Sequence, residues 1–191
     1  MTDQDLVQQI NDGDEKAFRL LVDRHQKMVL YTCLGFVQDR DDAEDLAQEI
    51  FVELYHSLHK FRGESKLSTW IYRIAVNQSL NFVRDNKRRN FFRSMGVRLG
   101  DETKVDVADK SWSSRPDHEV ENNQRRINLY KAINSLPERQ RVAFTLSKLE
   151  DLAYQDIAEV MGLSLSSVES LIHRAKLGLQ KKLYQCYKKG I

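Results

Sequence analysis

Apolar side chains recur at helical spacing along both ends of this 191-residue chain and lose that rhythm from about Arg93 to Asp117. Leu46, Ala47, Ile50, Phe51, Leu54, Tyr55 and Leu58 fall at i, i+1, i+4 and i+5, which draws one apolar stripe down a helix. No stretch alternates apolar and polar residues as a half-buried strand would, and two Pro and eight Gly leave few interruptions. The pattern predicts an all-α protein: two small helical domains, residues 1–95 and 117–191, joined by a flexible acidic linker over 96–116. With 41% hydrophobic residues, each half can bury a modest core.

The punctuation refines this. A first helix over about 3–12 stops at Gly13, and Asp14 caps a second through Phe18, Leu21, Val22, His25 and Val29. The acids from Asp39 to Asp45 suit the N-terminus of a third helix, where the dipole favours negative charge. Lys60 to Lys66, KFRGESK, reads as a loop, and Ser68 or Thr69 caps a helix from Trp70 towards Arg88. Beyond the linker, helices are expected from about Glu119 to Ser135, from Pro137 to Lys148, over Tyr154–Met161 and over Leu165–Tyr187.

The formal net charge of +2 hides an uneven distribution. Residues 1–50 carry −7, residues 51–99 carry +7, residues 100–121 carry −4 and residues 122–191 carry +6. Two basic blocks around an acidic one suit two polyanion-binding surfaces and a spacer that avoids them, although ordinary solvated helix faces would look similar. No run approaches the roughly 18 apolar residues of a membrane span. The start, MTDQDLVQQI, is acidic and lacks the order of a secretion signal. Cys33 and Cys186 fit no metal-ligand spacing, so reduced thiols, a cytoplasmic location and no direct membrane insertion are expected.

Tyr154 to Ala175, YQDIAEVMGLSLSSVESLIHRA, has the spacing of a helix-turn-helix. Ala158 permits close helix approach, Gly162 the sharp turn, and Val168 and Leu171 anchor the second helix. Ser166 and Glu169 can form a capping box there, with Ser164 as the rival cap. His173, Arg174 and Lys176 follow, so this helix can enter a major groove with base contacts at its start and phosphate contacts around it. A plain αα-hairpin is the alternative.

In the first half, Phe61, Trp70, Tyr72 and Phe82 interleave with Arg62, Lys66, Arg73, Arg84, Lys87, Arg88 and Arg89. Aromatic faces and backbone-neutralising cations are the chemistry of single-strand capture, while Trp70 and Phe82 are equally suited to a core. Asp42, Asp45, Glu49 and Glu53 share one helix face. It reads as a solvated face or a dock for a basic partner, because no EF-hand glycine and no nucleophile accompany the acids. His56 and His59 lack a further metal ligand. No metal, cofactor, small-molecule substrate or catalytic residue is expected.

These residues resemble a known family. Asp42-Ala-Glu-Asp-Leu-Ala-Gln-Glu-Ile-Phe51 and Phe61-Arg-Gly-Glu-Ser-Lys-Leu-Ser-Thr-Trp70-Ile-Tyr-Arg-Ile-Ala75-Val-Asn77 are similar to signature stretches of the extracytoplasmic-function (ECF) sigma factors. Leu136-Pro-Glu-Arg-Gln-Arg141, Phe144, Leu146 and the helix-turn-helix resemble that family's C-terminal module. The resemblance implies a non-enzymatic, dissociable subunit of bacterial RNA polymerase that recognises −10 and −35 promoter elements, helps melt DNA and answers to an anti-sigma factor. By position it implies core-polymerase docking, on the two largest subunits, with Asp42, Asp45, Gln48, Glu49 and Phe51 on the first of them. It implies −10 contacts from Phe61, Arg62, Lys66, Trp70, Tyr72, Arg73, Asn77, Asn81, Arg84 and Arg88. It implies −35 contacts from Arg139, Arg141, Ser166, Ser167, Glu169, Ser170, His173, Arg174 and Lys176. Many members carry basic residues where this chain has Glu169 and Leu171, and Glu can accept a hydrogen bond from cytosine in the major groove. The rival readings are a stand-alone helix-turn-helix regulator and a nuclease built on the Asp39–Glu49 acids.

Overall fold

A computed structural model describes residues 2–37, 39–94 and 119–188, and among these it contains eight α-helices, one 3-10 turn and no strand. The all-α expectation holds. The linker expected over 96–116 lies outside the described residues.

Helix α1 (Asp3–Asn11) starts at a reciprocal cap: Thr2 Oγ1 accepts from the Asp5 amide at 3.2 Å, and Asp5 accepts from the Thr2 amide at 2.9 Å. These bonds hold the Asp5 carboxyl below its ordinary range. Gly13, at φ +92°, turns the chain into α2 (Glu15–Val37), where Asp14 Oδ1 accepts from the Lys16 amide at 2.8 Å. The helix runs past Val29 because Val29, Thr32, Cys33 and Phe36 extend its buried face at i, i+3, i+4 and i+7. Helix α3 (Arg40–Ser57) is capped by Asp39, whose side chain accepts from the Asp42 amide at 2.9 Å. A 3-10 turn, Leu58–Lys60, leads into the expected loop.

Helix α4 (Leu67–Ser94) begins three residues before Trp70, and neither Ser68 nor Thr69 serves as its cap. Leu67 is fully buried and its amide donates to Asp3 Oδ2 at 3.3 Å, so α1 supplies the acceptor from outside the helix. Leu6, Leu21, Val29, Ile50, Leu54, Leu58, Leu67 and Ile71 form the core these four helices enclose.

The second module comprises α5 (Glu119–Asn134), α6 (Glu138–Lys148, with Pro137 at its N-cap), α7 (Tyr154–Met161) and α8 (Leu165–Lys188). Gly162 closes α7 in the left-handed region at φ +63°, as the turn spacing predicts. Two further details differ from expectation. Ser164, not Ser166, caps α8, its Oγ accepting from the Ser167 amide at 3.3 Å, so the Ser166–Glu169 box does not form. Ile172 rather than Leu171 joins Val168 as the fully buried anchor, Leu171 being half-buried.

The two modules pack on each other, α4 against α7 and α2 against α6. Phe36, Val76 and Leu80 of the first share one apolar cluster with Val142, Leu146, Ile157 and Val160 of the second. Gly35 permits the approach: a Cβ there would stand 2.6 Å from the Thr145 γ-methyl.

Candidate nucleic-acid interface

The loop from Phe61 to Lys66 is shaped locally. Gly63 sits at φ +73°, so the backbone favours glycine there, while a Cβ would meet only the mobile end of the Gln4 side chain. Phe61 tilts against Trp70 with ring centroids 5.7 Å apart. Both rings are half-buried against the N-terminal core, as is Phe82. Arg62 and Lys66 are exposed.

From this loop α4 carries Arg73, Asn77, Asn81, Arg84 and Arg88, all exposed, at intervals of three or four residues. That spacing lays them along one side of a helix about 40 Å long. The face is met by the other module. Lys66 Nζ reaches Asp156 at 3.0 Å. Arg73 donates from Nη2 and Nε to the Glu159 carbonyl at 2.6 and 3.2 Å. Arg84 grips Glu138 with two nitrogens at 3.1 Å each, and this hydrogen-bonded partner raises its guanidinium further. Tyr72 is half-buried and faces Glu150; burial, then the Glu150 charge, raises its hydroxyl. Burial in turn pushes the Glu150 carboxyl up to about 7. Between Arg73, Asn77 and Arg139 lies an open cleft of about 380 Å³ with an apolar floor that includes Val76, Leu80 and Val160.

In the helix-turn-helix, Ser166, Glu169, Ser170, His173, Arg174 and Lys176 are exposed along α8, with Ser167 half-buried. Arg139 is exposed on α6. Arg141 is not available to a phosphate in this arrangement. It is only 4% exposed, lies over the Phe36 ring at 5.6 Å, and burial draws its guanidinium down. Asp42, Asp45, Gln48 and Glu49 are exposed on α3 and Phe51 is half-buried, packed on the core. Burial and the neighbouring Asp39, Asp45 and Asp41 raise the Asp42 carboxyl. Among the described residues no group of three or more His, Cys, Asp or Glu is placed to hold a metal ion. Among them also, no helix is long and apolar enough to cross a membrane.

The residues that sequence reasoning missed are the acceptors on the facing side. Glu138, Glu150 and Asp156 are three of only six acids in the otherwise basic stretch 122–191, and that minority is the signal that could have found them, whereas Glu159 accepts through its main-chain carbonyl and leaves no such trace.

The two modules, a helical bundle with a cationic α4 face and a helix-turn-helix unit, are those of the sigma-70 class, as two family patterns show. The Sigma-70 region 2 pattern matches residues 21–89 and the Sigma-70 region 4 pattern matches residues 126–179. The chain is 37% identical over 184 residues to the ECF RNA polymerase sigma-E factor of Haemophilus influenzae, covering 96% of each. It therefore belongs to the ECF RNA polymerase sigma factors, whose activity is promoter-specific transcription initiation as a sigma subunit. Among solved structures it is similar to CnrH in complex with the cytosolic domain of CnrY (TM-score 0.65, 22% identity, covering 96% of this chain and 97% of that one). It is also similar to the sigma factor RpoE bound to the anti-sigma factor NepR from Bartonella quintana (TM-score 0.60, 22% identity, covering 88% and 98%).

Proposed function

We propose a division of that activity among named residues. Asp42, Asp45, Gln48 and Glu49 on the open face of α3, with Phe51 beneath them, dock the chain on a basic surface of the polymerase's largest subunit. The Phe61–Lys66 loop receives a flipped base of the −10 element, and Arg73, Asn77, Asn81, Arg84 and Arg88 follow that strand and the duplex just upstream. Trp70 and Tyr72 back this surface. Helix α8 enters the −35 major groove with Ser166, Ser167, Glu169 and Ser170 towards the bases. His173, Arg174, Lys176 and Arg139 neutralise phosphates, and Arg141 joins them only when the modules part. With Glu169 free of any capping role, its carboxylate is available to accept from a cytosine amino group.

The observation that carries this reading is the unbroken row of cations and amides that α4 continues from the Gly63-shaped loop. The C-terminal module also meets the flap of the second large subunit, and an anti-sigma factor is a further partner, as for the Bartonella quintana relative. The chain works in the cytoplasm and is not itself an enzyme.

The test exchanges Lys60–Lys66 for a different loop and sequences transcripts from a library randomised at the −10 element, with core polymerase present. The base preference shifts at one or two adjacent positions if the loop captures the base. An unaltered preference places capture elsewhere.

A further inference from the structure

A cleft opens along the seam where the two modules pack. One wall is α4, through Arg73, Val76, Asn77 and Leu80; the other is α6, the end of α7 and the turn after it. Its open volume of about 380 Å³ suits a small organic molecule rather than a lone ion. Val76, Leu80, Val142 and Val160 form the floor and are each between 5% and 7% exposed, with Met161 and Leu163 half-buried beside them. The floor is therefore packed in place before any ligand arrives. Among the described residues no aromatic ring lines the cleft. Such a floor gives an alkyl chain a surface to lie on and gives a planar base nothing to stack against.

The rim carries a positive surplus. Arg73 and Arg139 contribute two guanidinium groups and Asn77 an amide. Glu138 is the one carboxylate among the described lining residues, and Arg84 already grips it with two nitrogens. Arg73 gives Nε and Nη2 to the Glu159 carbonyl, which fixes its guanidinium, while Nη1 makes no bond to a described residue. The exposed side chains of Arg139 and Asn77 likewise bond to no described residue. A rim of this kind attracts an anion, and the guanidinium fork matches the two oxygens of a carboxylate.

We propose that this cleft binds a small anionic amphiphile: a single carboxylate held at the Arg73 and Arg139 rim, with an alkyl chain of about eight to twelve carbons on the aliphatic floor. Residues of both modules form the site, so it exists only while they are packed, and the ligand stabilises that arrangement by mass action. The inference goes beyond the promoter contacts proposed above and does not rest on them.

Titration calorimetry of the full-length chain with straight-chain carboxylates, from hexanoate to tetradecanoate and each below its micellar concentration, tests this. One site per chain is expected, with Kd falling about two- to fourfold per added methylene and levelling off once the tail outgrows the floor. Decyltrimethylammonium, with a similar tail and the opposite charge, should bind about tenfold or more weakly than decanoate. Arg139→Glu, on the exposed rim, should weaken decanoate by about fivefold or more, and Leu163→Trp should do the same by filling the cleft. With isotope-labelled methionine methyls, decanoate should shift the Met161 resonance and leave Met28, packed on the first module's core, in place. Absence of saturable binding would overturn the site. Affinity that ignores the head charge and both substitutions, or a Met28 shift as large as that of Met161, would overturn it as well and show adsorption of an amphiphile only. A capped peptide bearing leucine and glutamate that displaces decanoate at lower concentration would assign the cleft to a partner protein and likewise overturn the proposal.

Discussion

Asp45 and Glu49 stand exposed one turn apart on α3, beside a half-buried Phe51. Reversing both, Asp45→Lys with Glu49→Lys, should abolish association with core polymerase in a pull-down while leaving the circular dichroism of the chain intact. A retained complex would contradict docking through this face. Arg174 is exposed on α8, on the side proposed above to meet the −35 duplex. Replacing it with Ala should weaken duplex binding by about 1 kcal/mol or more and lower the salt slope by about one ion. An unchanged slope would remove Arg174 from the phosphate contacts. Arg141, four residues into α6, teaches a different lesson. Its place in the LPERQR stretch suggested a phosphate ligand, yet it lies over Phe36 with Nη1 3.4 Å from Asn134 Oδ1. Residue type and local spacing do not say which side chain a distant module will cover.

Among the elements, helix ends and amphipathic faces were legible because their causes are local. Asp14, Asp39, Gly13, Gly162 and the Tyr154–Met161 helix stand where capping and periodicity put them. The start of α4 was not legible, because its acceptor Asp3 comes from the other end of the module's sequence. The cap of α8 was a choice between serines that spacing alone left open. Because Ser164 Oγ accepts from the Ser167 amide, Ser164→Ala should lower stability by about 1 kcal/mol. Ser166→Ala should change it by only a few tenths, its hydroxyl capping no amide. Denaturant midpoints measure both, and the reverse order would restore the Ser166–Glu169 box.

For the whole molecule, two modules and their order were readable from the sequence, while the seam was not, since ion pairs between residues 54 to 90 apart leave no periodic trace. The seam carries its own pH signature. Glu150, titrating at about 7, faces Tyr72 of α4, lies near the Cys33 thiol of α2, which burial pushes up to about 11, and sits beside Asp151. Its carboxyl is raised above the ordinary value of 4.5, so the packed form favours the proton. The stability that proton confers is complete below about pH 4.5 and is lost as pH rises through about 7. The loss should amount to about 1–2 kcal/mol, less than full burial would give because the group is partly exposed. Glu150→Gln should flatten stability between about pH 5 and 8 relative to the wild-type chain; an identical slope would show that another group titrates there. Above these details stands the claim that two helical modules, each with a cationic stretch, direct polymerase to promoters. The most direct measurement adds the purified chain to core polymerase on a genomic template library and maps the 5′ ends of the RNA. The account predicts new, discrete starts that need both the chain and the core enzyme and share two upstream elements at fixed spacing. Starts identical to those of core polymerase alone would contradict it.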